Sequence, residues 1–177
     1  IQKIEVIPTT GADHDADAEF VASDFLSQAE HGPDSQSILL TTSESLAERL
    51  PGVIDDSLNR LPRREMMLRS LCHSHVIVLR DYDEIMRFAN EYAPEHLIIN
   101  TADAERLAER VENAGSVFIG PYSPESAGDY ASGTNHTLPT SGYAKAYSGV
   151  NLDSFTKKIT FQRLSPEGLR SIGSTIE

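Results

Sequence analysis

A glutamine and a histidine stand three residues apart in the segment Gln28-Ala29-Glu30-His31, near the predicted end of a helix. Residues at this spacing share a helix face, so the amide oxygen of Gln28 and an imidazole nitrogen of His31 could meet one metal ion. Glutamine is an unusual zinc ligand, however, and polar residues are common at helix ends. The alternative interpretation is a solvated helix end followed by the turn His31-Gly32-Pro33-Asp34.

A second pair, Glu95-His96, comes directly before a predicted strand. An adjacent carboxylate and imidazole suit proton transfer, because histidine titrates near neutral pH and burial can raise the pKa of a glutamate toward neutral pH. In the alternative interpretation His96 only begins the strand and Glu95 faces water. The pair is therefore a candidate acid–base site.

A third group lies in the glycine-rich stretch from Ser123 to His136, which contains Glu125, Asp129 and His136. Glycines permit an irregular backbone and the close approach of a ligand. The stretch is equally typical of a surface loop built from ordinary turn-forming residues. Three ligand-capable side chains make it a candidate site loop.

The elements that must position these residues alternate between short apolar runs and helical periodicity, which is typical of βαβ units and a parallel sheet. The predicted strands are Ile4 to Ile7, Ser37 to Thr41, His75 to Leu79, His96 to Ile99 and Ser116 to Ile119. The predicted helices are Ala18 to Glu30, Glu44 to Leu50, Tyr82 to Tyr92 and Ala102 to Asn113, with further helix between Ile54 and Ser74 interrupted by Pro62. Asp81 is the predicted N-cap of the helix that begins at Tyr82, and Thr101 is that of the helix that begins at Ala102.

From Gly120 to Val150 the sequence becomes rich in Gly, Ser, Pro, Thr and Tyr, which predicts a long loop covering a site. After Leu152 we expect a helical turn, a strand at Lys158 to Gln162 and a helix from Pro166 begun by Ser165. The predicted fold is therefore α/β: an incomplete Rossmann-like, mostly parallel sheet flanked by helices, with a glycine-rich site loop and a short α+β tail. Residues 1–150 form the predicted α/β domain with the site, and residues 151–177 start a small carboxy-terminal extension.

Composition narrows the function classes. With 27 Asp and Glu against 15 Lys and Arg, the net charge of -12 argues against nucleic acid or an anionic membrane as partner. No apolar run approaches the roughly 20 residues of a transmembrane helix, and the single cysteine fits a reducing compartment. We expect a cytoplasmic protein, and a plastid location is also compatible. No GxGxxG or Walker motif is present, so we expect any NAD site to lie outside this stretch.

Four stretches together resemble the histidinol dehydrogenase family in order and spacing, although each alone is short. They are Gln28 to Gln36, Ala93 to Ile98, Gly115 to Phe118 and Pro124 to Pro139. The resemblance spans Ala18 to Gly173. The segment from Ile1 to Asp17 departs from the family, in which a Gly-Pro-Ser-Glu stretch precedes the first strand.

The resemblance implies roles for particular residues. Gln28, His31 and Asp129 correspond to three zinc ligands, and Glu95 and His96 to the proton-transfer pair. Substrate would be bound by the following residues: Gln28, His31, His96, Asp129 and His136.

The implied reaction is the oxidation of L-histidinol through histidinal to L-histidine, with zinc and two NAD, at the end of histidine biosynthesis. Zinc would orient the substrate as a template, His96 would act as base for the alcohol, and Glu95 would activate water in the second half. The family forms homodimers in which the partner subunit supplies a last zinc-ligating histidine, which would follow Glu177. Because that segment and the NAD-binding portion are missing, we expect a fragment that lacks turnover by itself.

Two other hypotheses account for the same residues. In the first, zinc at Gln28, His31 and Asp129 with Glu95 as base forms a metal-dependent hydrolase. In the second, the chain is a non-catalytic α/β module that binds a small ligand or a partner chain. Hydrolysis without NAD dependence would favour the first, and normal folding in chelator without bound metal would favour the second.

Overall fold

The computed structural model describes the backbone of Gln2–Ile7 and the whole of residues 17–176. Most of the divergent segment from Ile1 to Asp17 therefore lies outside the described residues. Five strands form one sheet in the order β3-β2-β1-β4-β5, and every pairing is parallel. The strands are β1 Gln2–Ile7, β2 Gln36–Thr41, β3 His75–Val78, β4 His96–Ile99 and β5 Ser116–Ile119.

This strand order is that of the first five strands of a Rossmann fold, so the predicted α/β class is confirmed. Helices connect the strands and follow the last one. They are α1 Ala18–Ala29, α2 Glu44–Leu58, α3 Arg64–Leu71, α4 Tyr82–Tyr92, α5 Ala104–Ala108, α6 Glu125–Tyr130 and α7 Pro166–Ile176, with 3₁₀ turns at Tyr143–Lys145 and Leu152–Phe155.

Two apolar cores lie on opposite faces of the sheet. Leu39 of β2 packs with α1, α2 and α3 on one face. On the other face, Ile38 and Leu40 of β2 pack with Leu97 and Ile99 of β4 against α4 and α5. Adjacent strand residues point to opposite faces, which explains why near-continuous apolar strands can serve both cores.

Helix α2 continues to Leu58, so its predicted end at Leu50 is wrong. Pro51 lacks a backbone N–H and normally breaks a helix. In α2, however, Leu46, Leu50, Ile54 and Leu58 recur at intervals of four residues and are all buried. Their burial outweighs the local cost of the proline, because each large apolar side chain contributes about 1.5–3 kcal/mol when fully buried.

Helix α5 is much shorter than the predicted helix from Ala102 to Asn113, and its N-cap is Asp103 instead of Thr101. The Asn90 side chain accepts from the backbone N–H of Glu112 at 2.8 Å and donates to the carbonyl of Arg110 at 3.0 Å. These bonds satisfy backbone groups of a non-helical turn. Helix α5 therefore ends early, because Asn90 of α4 bonds to the backbone of this turn.

The stretch from Gly120 to Val150 was predicted to be a long loop. It instead contains α6 and a 3₁₀ turn. In the tail, the helical turn and α7 are confirmed, and the Ser165 hydroxyl accepts from the N–H of Gly168 at 3.0 Å. The strand from Lys158 to Gln162 is wrong. That segment is exposed, and no described strand lies beside it to share hydrogen bonds.

Across residues 17–176, no helix is both long and apolar enough to cross a membrane. The cytoplasmic location stays a prediction. The division into residues 1–150 and 151–177 also stays a prediction. Residues 151–176 are exposed apart from Gly168 and Gly173, which are half-buried.

Candidate active site

The candidate site lies on the face of the sheet that α1 covers. The Ser37 hydroxyl of β2 donates to the carbonyl of Phe25 in α1 at 3.0 Å, which places α1 on this face. Leu97 and Ile99 point into the opposite core. Because side chains alternate along a strand, His96 at the start of β4 lies on the same face as α1.

Glu125 lies between two of the histidines singled out from the sequence. Its Oε1 atom is 3.6 Å from Nε2 of His31, in the turn after α1, and 3.6 Å from Nδ1 of His96. The side chains of Glu125 and His96 are both 5% exposed, whereas that of His31 is 36% exposed. The fold thus brings together groups that lie 65 and 29 residues apart in the sequence (from 31 to 96, and from 96 to 125).

Helix α6 reaches this position because of Gly128. A Cβ atom there would lie 2.7 Å from Cε1 of Phe118 and 3.1 Å from the Thr134 hydroxyl oxygen. The Phe118 ring in turn lies 5.9 Å from the imidazole of His96, centroid to centroid, at an angle of 40°. Glycine at position 128 lets α6 lie directly on the Phe118 ring. This contact positions Glu125, which lies one turn before Gly128 in the helix.

Glu95 and His96 are held by the backbone of the neighbouring strand. The N–H of Gly115 donates to the carbonyl of Pro94, and the N–H of Ser116 donates to that of Glu95, both at 2.9 Å. A Cβ at Gly115 would lie only 2.5 Å from the Glu95 carbonyl oxygen. The predicted proton-transfer pair is therefore buried and fixed in place at the edge where β4 begins.

Gln28 is fully buried near the end of α1. Its amide nitrogen and oxygen have no hydrogen-bond partner among the described residues. Burying an amide without a partner costs about 1–3 kcal/mol in proteins, so such a group commonly serves a ligand. This observation fits the hypothesis of a metal ligand, and His31 follows Gln28 by three residues.

The other two predicted site residues are less enclosed. Asp129 is half-buried on α6, four residues after Glu125 and therefore on the same helix face. His136 is exposed in the loop after α6. Within the described part of the chain, no three His, Cys, Asp or Glu side chains are grouped to hold a metal ion. A metal site at this position would thus depend on the Gln28 amide.

Glu125 is the residue whose place in the site the sequence analysis missed. It was grouped with the glycine-rich stretch, but no role was assigned to it. The available signal was Pro124 followed by Glu125 and Asp129, since proline near a helix start and acids four residues apart are typical of a short helix with one polar face.

Outside the site, burial raises the pKa of Tyr92 to about 12. Its hydroxyl donates to the side-chain oxygen of Gln36. Both effects favour the neutral phenol and join α4 to the start of β2.

Comparison with known proteins gives consistent matches. The sequence profile of the histidinol dehydrogenase family matches residues 7–177. A histidinol dehydrogenase of Bacteroides thetaiotaomicron is 58% identical over 166 residues, which cover 94% of this chain and 39% of that protein. A histidine biosynthesis trifunctional protein of Saccharomyces bayanus is 52% identical over 93% of this chain and 21% of its own length.

A crystal structure of histidinol dehydrogenase from Elizabethkingia anophelis matches with a TM-score of 0.89 and 50% identity, covering 99% of this chain and 39% of that one. The chain thus spans about 39% of the length of these two histidinol dehydrogenases. The family profile covers nearly the whole chain, and the fold agrees over the same length. The chain belongs to the histidinol dehydrogenase family.

Proposed function

We propose that the complete protein oxidises L-histidinol through histidinal to L-histidine with two NAD, as the last steps of histidine biosynthesis. Family membership supports this activity, as do the names of the relatives. The observation that carries the proposal is the buried Glu95-His96 pair, held at the start of β4 beside Glu125 and His31. Such a desolvated acid–base group suits proton transfer to and from an alcohol.

Each residue of the pair has one task. In the first oxidation, the His96 imidazole takes the proton of the alcohol oxygen while hydride leaves the adjacent carbon. In the second, the Glu95 carboxylate takes a proton from the water that adds to the aldehyde carbon, and the hydrate then loses hydride and a proton to give the acid. NAD, when bound, accepts the hydride, and we propose that its site lies outside residues 1–177.

Gln28, His31 and Asp129 are the proposed zinc ligands. The buried amide of Gln28, which has no hydrogen-bond partner within the described part of the chain, supports a ligand at this position. When bound, zinc would hold and orient the amine and imidazole of the substrate. In this proposal His96 and His136 contact the substrate as well, and the exposure of His136 leaves it accessible to a ligand.

We also propose that the complete protein is a homodimer whose partner subunit supplies a further zinc ligand. The supporting observation is the exposed segment of residues 151–176. It carries large apolar side chains that are at least 39% exposed: Leu152, Phe155, Ile159, Phe161, Leu164, Leu169, Ile172 and Ile176. Apolar surface on this scale is typical of an interaction site.

The activity is tested on the complete protein by NADH absorbance, with histidinol and with histidinal as separate substrates. We expect His96→Gln to slow histidinol oxidation by about 10²–10⁴-fold. Glu95→Gln should slow histidinal oxidation by a similar factor and affect the first step less. His73→Gln, at an exposed histidine, is the control. Ester or amide hydrolysis that needs zinc but not NAD would instead establish the hydrolase hypothesis.

The zinc site is tested by Gln28→Met, which keeps the size of the side chain and removes its polar atoms. Metal analysis should show loss of zinc, whereas the metal-free variant should be about 1–3 kcal/mol more stable than the metal-free parent because an unpaired buried amide is gone. Gln36→Met is the matched control, since the Gln36 amide is hydrogen bonded to Tyr92 and His73. That variant should keep zinc and lose stability.

A further inference from the structure

One carboxylate oxygen faces the imidazoles of two separate elements. Glu125 Oε1 is 3.6 Å from Nδ1 of His96 and 3.6 Å from Nε2 of His31. Neither the proton-transfer pair nor the proposed ligand set includes Glu125. It is nevertheless more deeply buried than His31, so its position needs an explanation.

We propose that Glu125 is a positioning residue that holds His96 in the tautomer with the proton on Nδ1. This inference rests on the proposed function, in which His96 takes the alcohol proton. With Nδ1–H directed at the carboxylate, Nε2 carries the ring's basic lone pair. In functional sites, a hydrogen bond to one ring nitrogen of a histidine commonly fixes the tautomer and orientation of the imidazole.

The distance of 3.6 Å between Glu125 Oε1 and His96 Nδ1 is longer than the 2.7–3.2 Å usual for a hydrogen bond. Acid–base hydrogen bonds in substrate-free sites are often long and shorten when the substrate binds. Nδ1 of His96 is the ring nitrogen that lies 3.6 Å from Glu125 Oε1, so the geometry points to Nδ1 as the nitrogen that carries the proton.

The carboxylate keeps this position because α6 is held against the sheet. Gly128 lies on the Phe118 ring, and Phe118 contacts the ring of His96. Thr134 closes the end of the helix by donating its hydroxyl to the carbonyl of Gly128 at 3.0 Å. Phe118 thus contacts both His96 and the helix that carries Glu125. These shared contacts limit the movement of Glu125 relative to His96.

The contact with His31 extends the same arrangement to the end of α1. Through Glu125, the turn after α1 and the start of β4 meet a common carboxylate. A substitution that removes the carboxylate should therefore loosen His96 without removing any proposed zinc ligand. This separates a positioning role from metal binding.

The test uses the complete protein with zinc present, with Glu125→Gln and Glu125→Ala as variants and Glu112→Gln, at an exposed acid, as control. Nuclear magnetic resonance of isotope-labelled histidine reports the tautomer of each ring, and His96→Gln identifies the His96 signals. We expect the Nδ1–H tautomer in the parent and a shift toward Nε2–H in Glu125→Ala. Glu125→Gln guards against misfolding, since its amide oxygen still accepts a hydrogen bond and should preserve more of the parent tautomer.

In kinetics with histidinol, Glu125→Ala should lower kcat by about 10–100-fold, as loss of an orienting partner typically does, with KM changed less than threefold and zinc content unchanged. An unchanged tautomer in Glu125→Ala would overturn the proposal, and so would loss of zinc, which would make Glu125 a metal ligand. If the parent itself failed to oxidise histidinol while the tautomer still depended on Glu125, the proposed function would fall and the positioning role would stand.

Discussion

The substitution Gly115→Ala tests how tightly the strands hold the Glu95-His96 pair. The added Cβ would lie 2.5 Å from the Glu95 carbonyl oxygen and 3.3 Å from its carbonyl carbon. Unbonded carbon atoms normally approach to about 3.5–4.0 Å, and the neighbour at this position is backbone, which cannot rotate away. The start of β4 and the start of β5 must therefore move apart.

That movement weakens the two hydrogen bonds that Gly115 and Ser116 donate to Pro94 and Glu95. Overpacking costs about 1–3 kcal/mol. If each hydrogen bond loses about half of its contribution of ~1 kcal/mol, the total loss of stability is about 2–4 kcal/mol. Because Glu95 and His96 move with this backbone, histidinol oxidation should fall as well.

The assay is urea unfolding of the variant beside Gly52→Ala, which makes the same chemical change in α2. There, no atom of the described residues lies within 4 Å of the new Cβ. Alanine in a helix interior is favoured over glycine by about 0.5–1 kcal/mol, so the control should gain stability. If Gly115→Ala unfolds within ~0.5 kcal/mol of the parent, a threshold typical of neutral surface changes, the argument that this contact positions the pair is refuted.

Three further results are expected. Gly128→Ala should lower kcat and cost about 0–2 kcal/mol of stability, because a clash of about 1–3 kcal/mol with Phe118 is partly offset by helix propensity of about 1 kcal/mol. Parent-like kinetics would contradict the contact between α6 and Phe118. Tyr92, with a pKa of 10.0 when unfolded and about 12 when folded, stabilises the protein fully below pH 10, and this contribution is lost as pH rises toward 12. From pH 10 to about 12, the parent should therefore lose unfolding free energy relative to Tyr92→Phe. A difference between the two proteins that stays constant with pH would exclude the effect. Ser43→Ala should cost about 1 kcal/mol in thermal unfolding, because the Ser43 hydroxyl accepts from the Leu46 N–H at the start of α2, whereas Ser45→Ala should cost less.

Local pattern was enough to predict much of the fold. The strands His96–Ile99 and Ser116–Ile119 and the helix Tyr82–Tyr92 have the predicted bounds. Asp81 caps that helix as expected, accepting from the Glu84 N–H at 2.9 Å. Alternation, helical periodicity and caps depend on neighbours within a few residues, which the sequence contains directly.

The candidate residues were identifiable only by combining short motifs. Glu95-His96 and the Gln28–His31 pair are each too common to identify a site, and their order along the chain supplied the specificity. The structure adds what the motifs lacked: the burial of Gln28 without a hydrogen-bond partner among the described residues. The roles of these residues as ligands, acid and base stay predictions.

Tertiary contacts decided the rest. Burial of an apolar face carries α2 past Pro51, and the side chain of Asn90 ends α5 by bonding to residues 20 or more positions away. The same holds for Glu125, which meets His96 because Gly128 allows α6 to lie on Phe118. The sequence by itself determined the five strands, most of the helices, their order and the chemical groups available. Which groups share a site depended on packing between residues distant in the chain, because such contacts leave no local pattern.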